Sequence, residues 1–209
     1  MRLRRFFGTF ACLVLFGAVA AIAQSADEKA KPKSDDKAAM DQKAMEEAWT
    51  KYMTPGEAHK QLESMAGTWD TTVKSWMKPG APPEESKGTS VSTMVLGGRF
   101  LEQKYQGTFM GQPFEGVGYT GYDNAKKMYV GTWMDSMGTG IMSSTGKAEG
   151  ANKMAFTAEM DDFMTGKKTQ FKQTVTVVDP DHHTFEMWGP DPTTGKNYKV
   201  MEIQYSRKK

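Results

Sequence analysis

The chain has one cysteine, Cys12, in 209 residues. It lies in an apolar run over residues 6–22 that follows Arg2, Arg4 and Arg5 and ends in the small-x-small sequence Ala21-Ile22-Ala23. That order predicts a secretory signal peptide over residues 1–23, with the mature chain starting near Gln24 and exported to the periplasm or the medium. The residues just before Cys12, Thr9-Phe10-Ala11, are not the small apolar box of a lipoprotein cysteine. The mature chain then has no cysteine, which excludes a disulfide, a thiolate metal site and a cysteine nucleophile.

Three further scarcities narrow the reading. No later apolar run is long enough to cross a bilayer, so no transmembrane segment is expected in the mature chain. A charge excess is also missing: removing the three leader arginines from the 27 basic residues leaves 24 against 25 acidic ones. The basic pI of about 8.5 therefore gives no reason to expect a nucleic-acid partner. Histidine occurs three times only, as His59, His182 and His183, which limits metal and acid–base chemistry.

What is present reads in order. Residues 24–36, QSADEKAKPKSDD, are small and charged and predict a disordered linker. From residue 37 to 52, Met40, Ala44, Met45, Ala48, Trp49 and Tyr52 recur at helical spacing and predict an amphipathic helix. Thr54-Pro55-Gly56-Glu57 opens a second short helix to Met65, with Thr54 as N-cap and Glu57 at the capping-box position. These helices occupy residues 37–66, and His59, among Lys and Gln, reads as a surface residue of the second.

After Gly67 the apolar period changes to two. Strands are expected near 68–77, 88–97, 99–110, 113–122, 127–135, 138–146, 153–160, 168–178, 182–189 and 197–206, separated by explicit turns such as LGGR, MGQP and YDNAKK. Short links allow only neighbouring antiparallel pairing. A meander of that length twists and must curl, and two short helices cannot cover both faces of an open sheet. The expected fold is mainly β, an up-and-down barrel over residues 67–209 without free edges. Strand-internal glycines at 116, 118, 121, 131 and 140 permit the bending that closure needs.

The tripeptide Gly-Thr-Trp occurs twice, in AGTWDTTVKSW and VGTWMDSMGTG. The first follows a helix and the second a strand, and nothing after either tryptophan aligns, so this is no duplication. A short helix followed by Gly67-Thr68-Trp69 at the first strand resembles the start of lipocalins and their calycin relatives. That resemblance implies that Trp69 closes one end of the barrel with Arg207, near the end of the last strand, packed over it. From Thr54 onward, the order PGEAHKQLESMAGTWD, KPGAPPEESKGTS, LGGRFLEQ, MGQPFEGVGYTGYDNAKKMYVGTWMDSMGTGIM, DFMTGKKTQF and DHHTFEMW is similar to a bacterial family of secreted, calycin-like proteins known as a domain of unknown function. The resemblance implies a lipocalin-like barrel and no established reaction.

Catalytic motifs do not emerge. No serine stands in a nucleophile elbow, and GVGYTG from Gly116 sits in a strand pattern with no helix after it, which removes the phosphate-loop reading. Asp161-Asp162 reads as turn chemistry. The densest methionines, Met134, Met137 and Met142, fall short of a thioether copper cluster. Adjacent residues on a strand face opposite sides, so at most one of His182 and His183 faces inward, where it would be the candidate axial ligand of a haem. Leu101, Tyr105 and Phe109 share a strand face, as do Tyr129 and Trp133. The reading is an exported, non-enzymatic barrel that binds a small hydrophobic molecule, with Tyr105, Tyr119, Tyr129 and Trp133 as cavity candidates and no cofactor predicted. A haem or metal redox barrel and an enzyme acting on a lipid-like substrate are the alternatives.

Overall fold

The computed structural model describes residues 34–209; the expected signal peptide and most of the expected linker lie outside the described residues. The chain divides into two units, one ending at Gln42 and one running from Lys43. Helix α1 (Ser34–Met53) crosses this division. Residues 34–36, expected as linker, are helical. Ser, Asp and Asp suit a first helical turn, which composition alone does not register.

The second unit holds the end of α1, a second helix α2 (Glu57–Glu63) and ten strands. These are β1 (Gly67–Ser75), β2 (Glu84–Val95), β3 (Phe100–Phe109), β4 (Gln112–Asp123), β5 (Met128–Asp135), β6 (Met142–Ala148), β7 (Lys153–Asp161), β8 (Lys168–Asp179), β9 (His182–Pro190) and β10 (Asn197–Arg207). Each strand pairs antiparallel with its sequence neighbours, and β10 pairs with β1, so the meander closes into a barrel. The expected fold class is therefore observed.

The largest boundary shifts are at two strands. β2 covers 84–95 instead of 88–97, because Leu96, Gly97 and Gly98 all take positive φ and form the hairpin turn. β6 covers 142–148 instead of 138–146, because residues 136–141 form the link from β5.

The helices depart further from expectation. Thr54 does not cap α2: its hydroxyl donates to the Thr50 carbonyl at 2.6 Å, at the end of α1. The α2 N-cap is Gly56, whose backbone N–H donates to His59 Nδ1 at 3.0 Å. His59 is buried, not a surface residue, with its ring edge-on to Tyr122. An imidazole at the third helical position can take the role usually held by Glu or Gln. The apolar stripe of α1 is not packed away, and Trp49 remains 59% exposed. Asn124, in the β4–β5 turn, caps this helix by donating to the carbonyls of Lys51, Tyr52 and Thr54.

Candidate functional site

Alternation decides which side chains enter the barrel. Leu101, Gln103 and Tyr105 on β3 share a face with Gly118, Gly116 and Phe114 on β4, and these face inward. Cross-barrel contacts agree: Gln103 reaches Tyr205 on β10, and Gln173 on β8 reaches Met142 on β6.

The end beneath α2 is filled. Leu62 and Met65 from the helical segment pack with Leu101, Tyr129, Met154 and Phe156 in one cluster. Tyr129 touches the rings of Tyr122 and Phe156, and its hydroxyl donates to Gln61 at 2.7 Å. Burial raises the Tyr129 pKa, with the nearby Tyr122 adding to the shift. Trp69 is 1% exposed and donates from Nε1 to the Met65 carbonyl at 3.0 Å. The Arg207 guanidinium lies 4.1 Å from the centre of the Trp69 ring. It also donates to the carbonyls of Ser64, Ala66 and Pro180, which ties β10 to the end of α2 and to the β8–β9 turn. Gly67 has φ +141°, and a Cβ there would collide with this guanidinium, so the first Gly-Thr-Trp needs its glycine.

His183 sits above this floor. Its ring stacks on Tyr205 at 4.1 Å and meets Trp69 edge-on at 4.3 Å. Burial, with the Arg207 charge adding to it, lowers its pKa to about 4. The ring is held between two aromatics as a neutral packing element, with its Nδ1 buried and without a hydrogen-bond partner.

Toward the other end the interior opens. On β2, Ser92 and Ser90 are buried while Gly88 and Ser86 are partly exposed; the same change runs from Gly118 to Gly116 and Phe114, from Tyr129 to Gly131 and Trp133, and from Tyr205 to Ile203 and Met201. Solvent therefore reaches these positions from the mouth, whereas Val73 and Ser75 on β1 and Gln173 on β8 stay buried. The rings here lie along the wall over glycines. Trp133 covers Gly116 and Gly118, where a Cβ would strike its ring, and Tyr105 covers Gly88 and Gly107 in the same way. Trp133 Nε1 donates to Asp135 at 2.9 Å.

Residues 54–207 match the family described as "Protein of unknown function (DUF1579)". The chain belongs to this family. No curated protein matches it in sequence. Among solved structures, this DUF1579 protein is similar to the S-type phycobiliprotein lyase CPES from Guillardia theta, at 11% identity and a TM-score of 0.51, over 77% of this chain and 96% of the lyase. A redesigned β barrel, b11L5F_LGL, aligns at 14% identity and a TM-score of 0.40, over 71% of this chain and 96% of its own. EF1p2_mFAP2b bound to DFHBI aligns at 9% identity and a TM-score of 0.36, over 72% and 98%. At these identities the likeness is one of fold.

The structure separates the four cavity candidates. Trp133 faces the more exposed half of the DUF1579 barrel, Tyr105 is buried at mid-height, and Tyr129 belongs to the packed floor. Tyr119 is corrected: it faces outward, is 38% exposed, and donates to Glu102 at 2.7 Å on the outer wall. The glycines on either side of it put the apparent aromatic face out of phase, and only strand register resolves which residues point in. The methionines named for copper diverge, since Met142 points inward, Met134 outward, and Met137 lies in the loop between. Asp162 accepts from Met164 and Thr165 within its own turn, and Asp161 pairs with Lys168 at 3.1 Å. Sequence reasoning missed Thr71, Gln103 and Tyr205, which meet only because β1, β3 and β10 surround one lumen. Outside the barrel, a groove of about 870 Å³ between α1 and the β4–β5 turn carries Lys43, Lys51 and Lys127 beside Glu46 and Glu47. Charges of both signs there select no ligand.

Proposed function

We propose that this protein binds a small hydrophobic molecule in the mouth half of its barrel, without catalysis. The supporting observation is the gradient of exposure along the inward faces of β2, β4, β5 and β10: a filled floor, with Tyr105 buried above it, and then the partly exposed Phe114, Trp133 and Met142. Rings laid flat over glycines give apolar area while leaving the lumen free. The fold shared with other barrels is compatible with ligand binding and does not name a ligand.

The test is saturable uptake of N-phenyl-1-naphthylamine, an apolar fluorophore that brightens on leaving water. The parent protein takes it up with a defined stoichiometry, and Trp133→Ala weakens that uptake. A parent protein with no saturable uptake ends this reading.

We further propose export, on the basic, apolar and small-residue order of residues 1–23. N-terminal sequencing of the protein from its host should begin near Gln24; an intact Met1 in a membrane fraction would refute it.

A further inference from the structure

The lumen has a polar point at mid-height. Thr71 pairs across the wall with Gly88, and Gly88 with Gly107. Tyr105, two residues before Gly107 on the same inward face, lays its phenol over both glycines, so that a Cβ on either would meet its hydroxyl end. On its other side Thr71 pairs with Tyr205. Gln103 donates to the Tyr205 hydroxyl at 3.3 Å and to Ser90 Oγ at 3.0 Å. Five polar side chains from four strands therefore converge beneath the open half.

Three of them have partners and two do not. Tyr105 Oη and Thr71 Oγ1 are buried and have no hydrogen-bond partner. Both residues are more than nine-tenths buried. A buried hydroxyl left unpaired is costly, and each of these can donate one hydrogen bond and accept others. Their surroundings carry no available cation. Among the described residues, the acidic and basic side chains on the inward faces of the strands are Glu84 and Asp135 at the mouth, the latter bonded to Trp133, and His183 and Arg207 at the floor. Arg207 is committed to three carbonyls and to Trp69 below. Burial above all keeps the Tyr205 phenol protonated, with a pKa raised to about 12, so it supplies no anion either.

We infer that the ligand carries an uncharged hydroxyl or carbonyl head, seated between Tyr105 Oη and Thr71 Oγ1, with its apolar remainder running toward the mouth past Phe114 and Trp133. This inference rests on the apolar-ligand reading above and sharpens it. A carboxylate head would be buried without a counter-ion, a far larger penalty than a neutral head incurs. A head with no polar group would leave both hydroxyls unpaired.

The experiment displaces N-phenyl-1-naphthylamine from the full chain with 1-decanol, decanoate or decane at about pH 7.5, where the acid is ionised. Decanol should compete about tenfold better than either of the others, the factor expected for satisfying one buried polar pair. In Tyr105→Phe, scored against its own fluorophore affinity, that advantage should fall to about twofold. Decanoate matching or surpassing decanol overturns the neutral-head proposal while the apolar-ligand reading stands. Decane equalling decanol also overturns it, and shows that the hydroxyl pair holds only water. An undiminished preference in Tyr105→Phe places the head elsewhere and overturns it as well. Failure of the parent to take up the fluorophore at all is the separate result that defeats both.

Discussion

The two ends of this barrel are made by the same ten strands and are built differently. At the floor, aromatic rings meet other rings: Trp69 with His183, His183 with Tyr205, Tyr122 with Tyr129, and Tyr129 with Phe156. At the mouth, Tyr105 and Trp133 lie flat against glycines of the wall, and Phe171 does the same over Gly189. Neither device belongs to one end alone, since Tyr105 also meets Phe114 edge-on at 5.7 Å and Phe156 in the floor cluster covers Gly146. The floor differs in having its rings joined in chains together with Leu62 and Met65. The links differ too. Those after β1, β3, β5 and β7 share the mouth end and expose Met77, Met110, Met137, Ile141, Phe163 and Met164, with Phe163 95% exposed. The floor is instead plugged by α2 and fastened by Arg207. The floor end also exposes Leu96 and Val178, so the difference lies in the plug and its fastening and in the larger number of exposed apolar residues at the mouth.

Removing the floor's central ring should have the largest effect. Trp69→Ala deletes a fully enclosed indole together with its bond to Met65, and should lower unfolding free energy by about 3–5 kcal/mol in urea titrations. A loss below about 1 kcal/mol would mean that the floor is no better packed than the mouth.

The next effect is a pH dependence seated in the floor. His183 is buried, and its folded pKa is about 4 against a usual 6.5. Above pH 6.5 both folded and unfolded chains hold it neutral, and it contributes no pH dependence. As pH falls from 6.5 toward 4 the unfolded chain takes up a proton that the folded chain refuses, so stability declines, by about 3 kcal/mol in total. His59, also lowered mainly by burial, adds a decline of the same sign. Urea titrations across this range should show the decline, and His183→Gln should flatten most of it. An unchanged profile in the variant would show that His183 is not the group responsible.

Arg207→Ala should rank third. It removes the cation over Trp69 and the donors to three carbonyls, but leaves the indole in place. A loss of about 2 kcal/mol is expected, read in the same titrations. A loss equal to that of Trp69→Ala would make the guanidinium, not ring burial, the main fastening of the floor.

The meander and its closure could be read in the sequence, but not whether either end was filled, and the limit was register. The two-residue period after Gly67, with explicit turns, suffices to give ten meandering strands and hence closure. Period alone shows which residues share a face but not which face is inside, and so Tyr119 joined Tyr105 and Trp133 as a cavity candidate. Helix capping was misread because Gly56 and His59 perform the role that Thr54 and Glu57 appeared suited to. The polar point of the lumen was out of reach for a different reason. Thr71, Gln103 and Tyr205 are ordinary strand residues in sequence, and they acquire a role only when distant strands face one another.

The smallest stability effect should come from the mouth, and it carries the functional content. Trp133 is as large as Trp69, but its ring lies on the wall over Gly116 and Gly118 and is partly reached by solvent. Truncating a side chain that borders an open lumen leaves no sealed void, so Trp133→Ala should cost about 1 kcal/mol or less. The same change removes much of the apolar wall and should weaken N-phenyl-1-naphthylamine uptake about tenfold. Tyr119→Phe is the control on the outer wall: it loses one exposed hydrogen bond and should shift stability by no more than about 0.5 kcal/mol, with uptake unchanged. If Trp133→Ala instead costs several kcal/mol, and the parent shows no saturable uptake, then the mouth is as solid as the floor. The two ends would then differ only in their loops, and the barrel would be a structural element rather than a carrier.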